Sequence, residues 1–313
     1  MTQTVSAIVD WGTSSLRATL IAADGRVLDR SESRNGGIQF VEGGAFEAAL
    51  MAAIGAWFDE HGPFPVTACG MITSRSGWIE VPYVDAPAGL AELAAGAKCV
   101  TLQNGATMTF LPGLRDPAAK PFPDVMRGEE TQIVGYGLAE DRTLVLPGTH
   151  SKWARIENGR IAAFQTYATG EIYALLTRHS FIARATEPAA GSEPAWSAFD
   201  RATEFAASNE PAADALLSAV FSARSGILAG ALQPEEVGDY VSGLLIASEF
   251  RQARAAGWLR PGEAIGIIGN SALSERYGRV APLFDLAIKP GPDDAATLGV
   301  QRITGRLPST EQD

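Results

Sequence analysis

The chain has 313 residues, of which 46% are hydrophobic and 19% are charged. This composition predicts about two globular domains and excludes a disordered chain, because it supplies enough apolar material for a sizeable core. The formal net charge of −11 argues against a nucleic-acid partner or an anionic membrane surface.

The first hundred residues predict an antiparallel β-meander followed by alternating helix and strand. Strands are expected at 4–9, 16–21 and 27–33, with a hairpin turn at Asp24-Gly25 between the second and third. Apolar residues at helical spacing predict a helix over 46–60. Two further strands are expected at 66–71 and 99–102.

A proline-rich stretch then predicts the domain boundary. Four prolines fall between Pro112 and Pro123, and few apolar residues lie among them. Such a stretch is typical of a linker or surface loop. We therefore expect two domains, covering residues 1–125 and 126–313.

The second half repeats the opening pattern. After a helix at 129–138, strands are expected at 143–146, 152–157 and 160–167, with turns at 147–151 and 158–159. Each half thus offers one Gly-Thr turn within the same strand pattern, which indicates two related domains. Helices at 212–221 and 235–256, a strand at 264–268 and a terminal helix at 294–302 complete the prediction. Pro234 suits a first helical position.

The cysteines and the N-terminal residues give expectations about compartment. Cys69 and Cys99 lie in apolar, strand-like contexts, and both are expected to be buried thiols. No His/Cys group has zinc-ligand spacing, and no apolar run approaches 18 residues. No Lys or Arg precedes Asp10, so a signal peptide is not expected. These features favour a cytoplasmic protein without a membrane partner.

Two short turns are the strongest candidates for a binding site. Turns rich in Gly, Ser and Thr expose backbone N–H groups and hydroxyls in a concave arrangement that binds phosphate oxygens. Either turn alone could be structural, but their pairing favours a polyphosphate site. The candidate residues are Gly12, Thr13, Ser14 and Ser15 in the first turn and Gly148, Thr149 and His150 in the second. His150 is equally compatible with a structural role.

Carboxylates flank these turns. Asp10 ends the first strand beside the first turn, where a bridging cation would relieve its repulsion from phosphate, so we expect it to anchor Mg²⁺ through water. Glu129 and Glu130 open a helix at the expected boundary between the domains. Either could be the base that orients an attacking hydroxyl in phosphoryl transfer, and either could be a helix-start acid without chemistry.

Several common enzyme signatures are absent from the sequence. There is no GxxxxGK[ST] motif, no GxGxxG motif after a strand and no GxSxG motif. The sequence therefore does not predict a P-loop protein, a dinucleotide-binding domain or a serine hydrolase.

The order of Asp10–Arg17, Gly128-Glu129, Gly148-Thr149 and Gly269-Asn270 resembles the actin-like superfamily of sugar kinases. More narrowly, the sequence resembles the 2-dehydro-3-deoxygalactonokinase family. The segments that carry this resemblance are 71–78, Arg-Gly-Glu-Glu-Thr-Gln at 127–132, Pro-Gly-Thr-His at 147–150, Thr169-Gly170-Glu171 and 242–246.

The resemblance implies an α/β, two-domain actin-like (ribonuclease H-like) ATPase fold with its active site in the inter-domain cleft. It implies ATP and Mg²⁺ as cofactors, and phosphorylation of 2-dehydro-3-deoxy-D-galactonate at O6 in galactonate catabolism. In that family pattern both turns hold the ATP phosphates, Glu129 or its neighbour Glu130 supplies the base, and Gly269-Asn270 holds adenosine. The second turn carries Pro147 where many sugar kinases have an acid, so metal binding would depend mainly on Asp10.

The expected substrate is an acid, so a cation should meet its carboxylate. The substrate-binding candidates are Arg17, Arg75, Arg127 and Lys152, with Ser74, Gly77 and Trp78 from the family pattern. Trp78 could equally serve core packing. Two alternatives stay open: a kinase of another sugar acid or polyol on the same fold, and a non-catalytic sugar-sensing ATP-binding protein. A homodimer is compatible with the sequence.

Overall fold

The computed structural model of the chain describes residues 4–185, 193–208 and 210–305. Its strands, in chain order, are β1 Val5–Trp11, β2 Leu16–Ala22, β3 Val27–Ser33, β4 Val66–Cys69, β5 Val84–Asp85, β6 Lys98–Thr101, β7 Thr107–Phe110, β8 Leu114–Asp116, β9 Asp124–Met126, β10 Arg142–Leu146, β11 Ser151–Glu157, β12 Arg160–Tyr167, β13 Ala264–Ile267 and β14 Ala287–Pro290. Its helices are α1 Phe46–His61, α2 Leu90–Ala95, α3 Glu129–Tyr136, α4 Thr169–His179, α5 Trp196–Ala207, α6 Leu216–Leu228, α7 Val237–Ala255, α8 Ser271–Val280 and α9 Ala295–Thr304.

The described residues form two compact units. The first takes in the chain up to Asp141, the segment Ile156–Phe164 and the chain from Pro292 onward. The second takes in Arg142–Arg155 and Gln165–Gly291. The expected boundary between residues 125 and 126 divides the chain differently, because α3 and α9 pack on each other within the first unit. The proposed functional division at residue 125 stays a prediction.

A six-stranded mixed sheet forms the centre of the first unit. Its strand order is β3-β2-β1-β4-β7-β6, with β1 antiparallel to β2 and parallel to β4. The expected meander and the turn at Asp24-Gly25 are confirmed. The side chains of α1 that face the core are Phe46, Leu50, Ile54 and Trp57, and they pack with Val9 and Trp11 of β1. The other sheet face is covered by α3 and α9, through residues that include Val134 and Val300.

The second unit contains β10, β13, β14 and most of β11, which are strands of a five-stranded sheet with the order β12-β11-β10-β13-β14. Strand β10 pairs in parallel with β13, and β13 pairs in parallel with β14. Each sheet begins with three consecutive strands joined by short turns, β1–β3 in one and β10–β12 in the other. In each sheet the first of these three strands is followed by two strands that run parallel to it, β4 and β7 in one and β13 and β14 in the other. The two related halves expected from the repeated strand pattern are therefore confirmed.

Three sequence expectations are wrong in detail. Cys99 is exposed, because β6 is an edge strand whose residues Lys98, Cys99 and Thr101 all face solvent, whereas Cys69 is buried. The proline-rich stretch at 112–123 contains β8, which pairs with β5 and β9. The helix expected at 212–221 is α6, which begins at Leu216 after a short 3₁₀ turn, Pro211–Asp214.

No helix within the described ranges combines the length and the apolar character needed to cross a bilayer.

Candidate active site

The first Gly-Thr turn connects β1 and β2 and is supported from behind. The Gly12 N–H donates to the Ser15 carbonyl at 2.9 Å, which closes the turn. The N–H groups of Ile38 and Gln39 donate to the carbonyls of Gly12 and Thr13 at 3.1 and 3.2 Å. Fixed this way, the turn keeps its tip in solvent. All four predicted phosphate-binding residues, Gly12, Thr13, Ser14 and Ser15, are at least partly exposed.

Asp10 lies where three segments of the first unit meet. It pairs with Arg17 on β2 and with Cys69 on β4. Gly70 follows β4 with φ +88°, and a Cβ there would lie 2.9 Å from the Trp11 carbonyl oxygen and 3.3 Å from Asp10 Oδ1. Gly128 has φ +107°, and a Cβ there would lie 3.3 Å from the Gly70 Cα. Glycine at both positions allows the start of α3 to approach the end of β1.

The two adjacent carboxylates at the start of α3 differ in exposure. Glu129 is partly exposed, and its Oε2 accepts from the Arg127 N–H at 3.0 Å. Glu130 is 1% exposed, and it accepts from the Gly128 N–H at 2.8 Å and from the Thr131 hydroxyl at 2.9 Å. Burial, with repulsion from Glu129, raises the pKa of Glu130 to about 7. Of the two, only Glu129 has a surface available to a ligand.

The carboxylates of Asp10 and Glu129 beside the first turn favour a bound cation. Burial raises the pKa of Asp10, repulsion from Glu129 adds to the rise, and Arg17 opposes it from 3.9 Å. Two carboxylates that repel each other beside an exposed turn fit a Mg²⁺ ion held by one carboxylate, waters and phosphate oxygens. No cluster of three or more His, Cys, Asp or Glu side chains with metal-binding geometry occurs among the described residues.

The loop after β4 carries three predicted substrate residues. The Ser74 hydroxyl donates to the Met71 carbonyl at 2.7 Å, and the Trp78 N–H donates to the Ile72 carbonyl at 2.9 Å. The Trp78 ring stacks on Phe46 at 6.3 Å and contacts Phe110 edge-on at 5.6 Å. These contacts give Trp78 a packing role. Its predicted contact with substrate stays a prediction, as do those of Ser74 and Gly77.

The basic residues of the first unit that were predicted to bind substrate differ in how many protein groups they already contact. Arg127 donates to the Thr73 hydroxyl at 2.6 Å and to the Val81 carbonyl at 2.9 Å, and its guanidinium lies over the Tyr83 ring at 4.2 Å. It therefore ties the start of α3 to the loop after β4. Arg17 is exposed and bonds Glu32 at 3.3 Å, and Arg75 is also exposed.

The second Gly-Thr turn follows β10 and packs closely against the start of α4. A Cβ at Gly170 would lie 2.3 Å from the Gly148 carbonyl oxygen, and the Glu171 N–H donates to the Thr149 carbonyl at 2.9 Å. Thr149 and His150 are exposed, and His150 Nε2 bonds Glu171 Oε2 at 2.8 Å. The turn thus presents an exposed tip on a fixed base, as the first turn does.

Lys152 lies just behind this turn. Its side chain is buried, and its Nζ donates to the His150 carbonyl at 3.4 Å. Its predicted role in substrate binding stays a prediction.

The predicted adenosine turn lies beside the second turn in the same unit. Gly269-Asn270 follows β13, which is the parallel neighbour of β10. A Cβ at Gly269 would lie 3.4 Å from Pro147 Cδ, and the Asn270 side chain caps α8 by accepting from the Leu273 N–H at 2.9 Å. Both turns therefore stand at the carboxyl ends of adjacent parallel strands, where α/β sheets commonly bind ligands.

Sequence reasoning missed two features of the site. Gly70 had no distinguishing motif, and its importance comes from a contact with β1. Glu249 lies in α7 and is fully buried behind the second turn. A signal was present for Glu249, because it is a single charge within the apolar run from Leu244 to Phe250.

The duplicated sheet, with one exposed Gly-Thr turn after the first strand of each copy, defines an actin-like ATPase fold of the kind used by sugar kinases. A solved structure of a protein assigned as a 2-dehydro-3-deoxygalactonokinase from Sinorhizobium meliloti has this fold. It superposes with a TM-score of 0.84 at 32% identity and covers 96% of this chain and 98% of its own.

A family model for 2-keto-3-deoxy-galactonokinase matches residues 10–303, so the chain belongs to that family. A Rhizobium meliloti (strain 1021) protein assigned as a 2-dehydro-3-deoxygalactonokinase is 34% identical over 277 residues, covering 87% of each chain. The 2-dehydro-3-deoxygalactonokinase of Escherichia coli (strain K12) is 32% identical over 270 residues, covering 86% of each. Membership makes the chain a phosphotransferase with an alcohol group as acceptor, and implies the use of ATP. The resemblance and the fold class inferred from the sequence are confirmed.

Proposed function

We propose that the chain transfers the γ-phosphoryl group of MgATP to the 6-hydroxyl of 2-dehydro-3-deoxy-D-galactonate, in D-galactonate catabolism. The reaction class and the family support this substrate. The observation that carries the proposal is the meeting, within the first unit, of an exposed turn, the Asp10 carboxylate and the partly exposed Glu129 carboxylate.

The acceptor hydroxyl is proposed to be oriented by Glu129. A carboxylate at this position can accept the proton of the alcohol as the new O–P bond forms. The Arg127 N–H donates to Glu129 Oε2 at 3.0 Å and so helps to orient the carboxylate. Gly128 and Gly70 support this role because they allow α3 to begin close to Asp10.

Mg²⁺ held at Asp10 would neutralise charge on the phosphate oxygens. The exposed N–H groups and hydroxyls of Thr13 and Ser14 are proposed to bind phosphate from the first unit. Gly148, Thr149 and His150 are proposed to do so from the second, with Gly269-Asn270 beside them for adenosine. Supporting evidence is that a Cβ at Gly269 would be in van der Waals contact with Pro147, the residue before Gly148.

The carboxylate of the sugar acid is proposed to bind an arginine of the first unit. Arg127 already donates two side-chain hydrogen bonds to protein groups. The exposed Arg75 lies in the loop after β4, and the exposed Arg17 lies beside Asp10 and donates to Glu32 through Nε. A guanidinium binds a carboxylate with two parallel hydrogen bonds, so the fork of Arg75 or Arg17 suits this task.

The test is the position of the phosphate in the product. The protein is incubated with MgATP and 2-dehydro-3-deoxy-D-galactonate, and the product is examined by phosphorus–proton correlation NMR. We expect coupling of phosphorus to the C6 protons, and no product from the 6-deoxy analogue. Phosphate on another oxygen, or turnover of the 6-deoxy analogue, would reject the proposed reaction.

A further inference from the structure

Glu249 is a buried carboxylate in the middle of the second unit, outside the groups assigned above to the reaction. It lies in the central part of α7 and is 2% exposed. Its neighbours along the helix, from Leu244 to Ala247 and at Phe250, are buried and mostly apolar. An isolated charge in such surroundings costs several kcal/mol unless hydrogen bonds compensate it.

Four donors from three segments compensate the Glu249 carboxylate. Oε1 accepts from the Ser151 hydroxyl at 2.8 Å and from the Trp153 indole N–H at 2.7 Å. Oε2 accepts from the Tyr277 hydroxyl at 2.9 Å and from the Thr169 hydroxyl. Burial raises the pKa of Glu249, and these four hydrogen bonds oppose the rise. Each oxygen therefore accepts two hydrogen bonds from the protein.

Three of the four donors lie beside the turns proposed to bind the nucleotide or on the helix that begins at one of them. Ser151 directly follows the second turn. Thr169 directly precedes Gly170, whose Cα lies against the Gly148 carbonyl. Tyr277 lies on α8, the helix that begins at the proposed adenosine turn. One carboxylate thus connects the residue that follows the second turn, the start of α4 and α8, the helix that begins at Gly269-Asn270.

We propose that Glu249 is the positioning residue for nucleotide binding: it holds the second turn, the start of α4 and α8 in the arrangement that binds ATP. This inference rests on the proposed function. Preorganised turns bind phosphate without paying the cost of ordering at each binding event. Loss of the carboxylate would remove the hydrogen bonds that hold Ser151 and the start of α4 beside the second turn, so the effect should fall on ATP rather than on the sugar acid.

Glu249→Gln is the principal test, because it keeps the side-chain volume and replaces one acceptor oxygen with a donor. Calorimetric titration with a non-hydrolysable ATP analogue and Mg²⁺ gives Kd for the nucleotide. We expect Kd and KM for ATP to rise about tenfold or more, since hydrogen bonds to buried charged groups are lost. KM for the sugar acid should stay within about twofold.

Partial variants and a matched control separate positioning from stability. Thr169→Val and Ser151→Ala each remove one donor next to the second turn and should each raise Kd for ATP by less than Glu249→Gln does. The control is Thr203→Val, because the Thr203 hydroxyl is also buried and donates to the Asp200 carbonyl, on a helix that packs against α7. Lowered stability alone reduces the folded fraction without changing Kd of the folded molecules, so Thr203→Val should bind ATP normally.

The outcomes distinguish this inference from the proposed function. A folded Glu249→Gln variant with unchanged Kd for ATP, or with equal losses for ATP and the sugar acid, would overturn the positioning role. If Glu249→Gln does not fold, unchanged Kd values in Thr169→Val and Ser151→Ala would overturn it. Wild-type protein that binds ATP but does not phosphorylate the sugar acid would reject the proposed function, and Kd would still decide the role of Glu249.

Discussion

At the scale of single residues, adjacent glutamates at the start of α3 have different environments. Glu129 is partly exposed and bonded to one backbone N–H, whereas Glu130 is buried and accepts two hydrogen bonds. On a helix, neighbouring side chains diverge by about 100°, so only one of the pair can face a ligand. The sequence could not choose between them, because exposure at a helix start depends on what packs against it.

Glu129→Gln should lower kcat by about 10²–10⁴-fold, the usual contribution of a general base, while ATP binding changes little. Glu130→Gln is the matched control and should have a smaller effect. Both are measured by steady-state kinetics under saturating ATP and sugar acid. If Glu130→Gln is crippled and Glu129→Gln is active, the base is the neighbouring residue. If both turn over normally, the base lies elsewhere, with Glu171 the next candidate.

Glu130 also predicts a pH-dependent stability. Its pKa is about 7 in the folded chain against an ordinary value of 4.5, so the folded chain binds more protons between these values. The contribution of protonated Glu130 to the free energy of unfolding is therefore fully present below pH 4.5 and is lost as the pH rises through about 7. Such a shift corresponds to about 3 kcal/mol.

Urea unfolding of the wild type and Glu130→Gln at pH 5 and pH 8 measures this effect. Because glutamine does not titrate, the wild type should lose about 3 kcal/mol relative to the variant between the two pH values. A stability difference that is the same at both pH values would show that Glu130 does not titrate in this range.

Asp10 is expected to link activity to Mg²⁺. Asp10→Ala removes the carboxylate that faces Glu129 and Arg17 and should reduce turnover by about 10²-fold or more, since metal stabilisation of transferred phosphate is worth several kcal/mol. The remaining activity should depend less on Mg²⁺ concentration. Mg²⁺ titrations of the initial rate in both proteins provide the measurement. Full activity with an unchanged Mg²⁺ response would remove Asp10 from the mechanism.

At the scale of elements, hydrophobic spacing and turn chemistry predicted most of the strands and the long helices. Helix α1 was found because Phe46, Leu50, Ile54 and Trp57 repeat at helical spacing and are all buried. Helix α4 was missed although Ile172, Leu175 and Leu176 lie at helical spacing, and none of its residues is buried. Strand β8 was missed because prolines surround it and its partners, β5 and β9, are two and three residues long.

The contact between α4 and the second turn gives a prediction at this scale. Gly170→Ala would place a Cβ 2.3 Å from the Gly148 carbonyl oxygen, so the helix start must move away from the turn. We expect KM for ATP to rise and KM for the sugar acid to change little. Gly278→Ala is the control, because a Cβ at this interior position of α8 meets nothing within 4 Å.

In the control, alanine should raise helix stability by up to about 1 kcal/mol with normal kinetics. Thermal melts and steady-state kinetics of both variants provide the comparison. An unchanged KM for ATP in Gly170→Ala would mean that the turn does not need this close contact.

At the scale of the whole molecule, the repeated strand pattern was visible in the sequence because both halves use the same turn chemistry after their first strand. The sequence did not show which segments of the chain belong to which compact unit. The segments Ile156–Phe164 and the chain from Pro292 onward group with the first unit through contacts distant in sequence, such as the Ala88 and Ile161 bridge. Such pairings leave no local signal in one sequence.

The candidate site, too, could be predicted only in part from the sequence. Motif residues such as Asp10, Gly148 and Glu129 could be proposed from the sequence, because turn composition and helix starts are local properties. The Glu249 network could not, because its four donors come from residues 151 to 277 and meet only in the folded chain.

The central claim is that the chain is a kinase for one 2-keto-3-deoxy sugar acid. A coupled assay of ADP formation tests it directly, with 2-keto-3-deoxygalactonate, its gluconate epimer, gluconate and glycerol as acceptors. We predict ATP consumption that depends on a 2-keto-3-deoxy acid, with the highest kcat/KM for the galactonate epimer and little turnover of gluconate or glycerol. Equal or faster turnover of gluconate or glycerol, or no ADP formation with either keto-deoxy acid, would contradict the account.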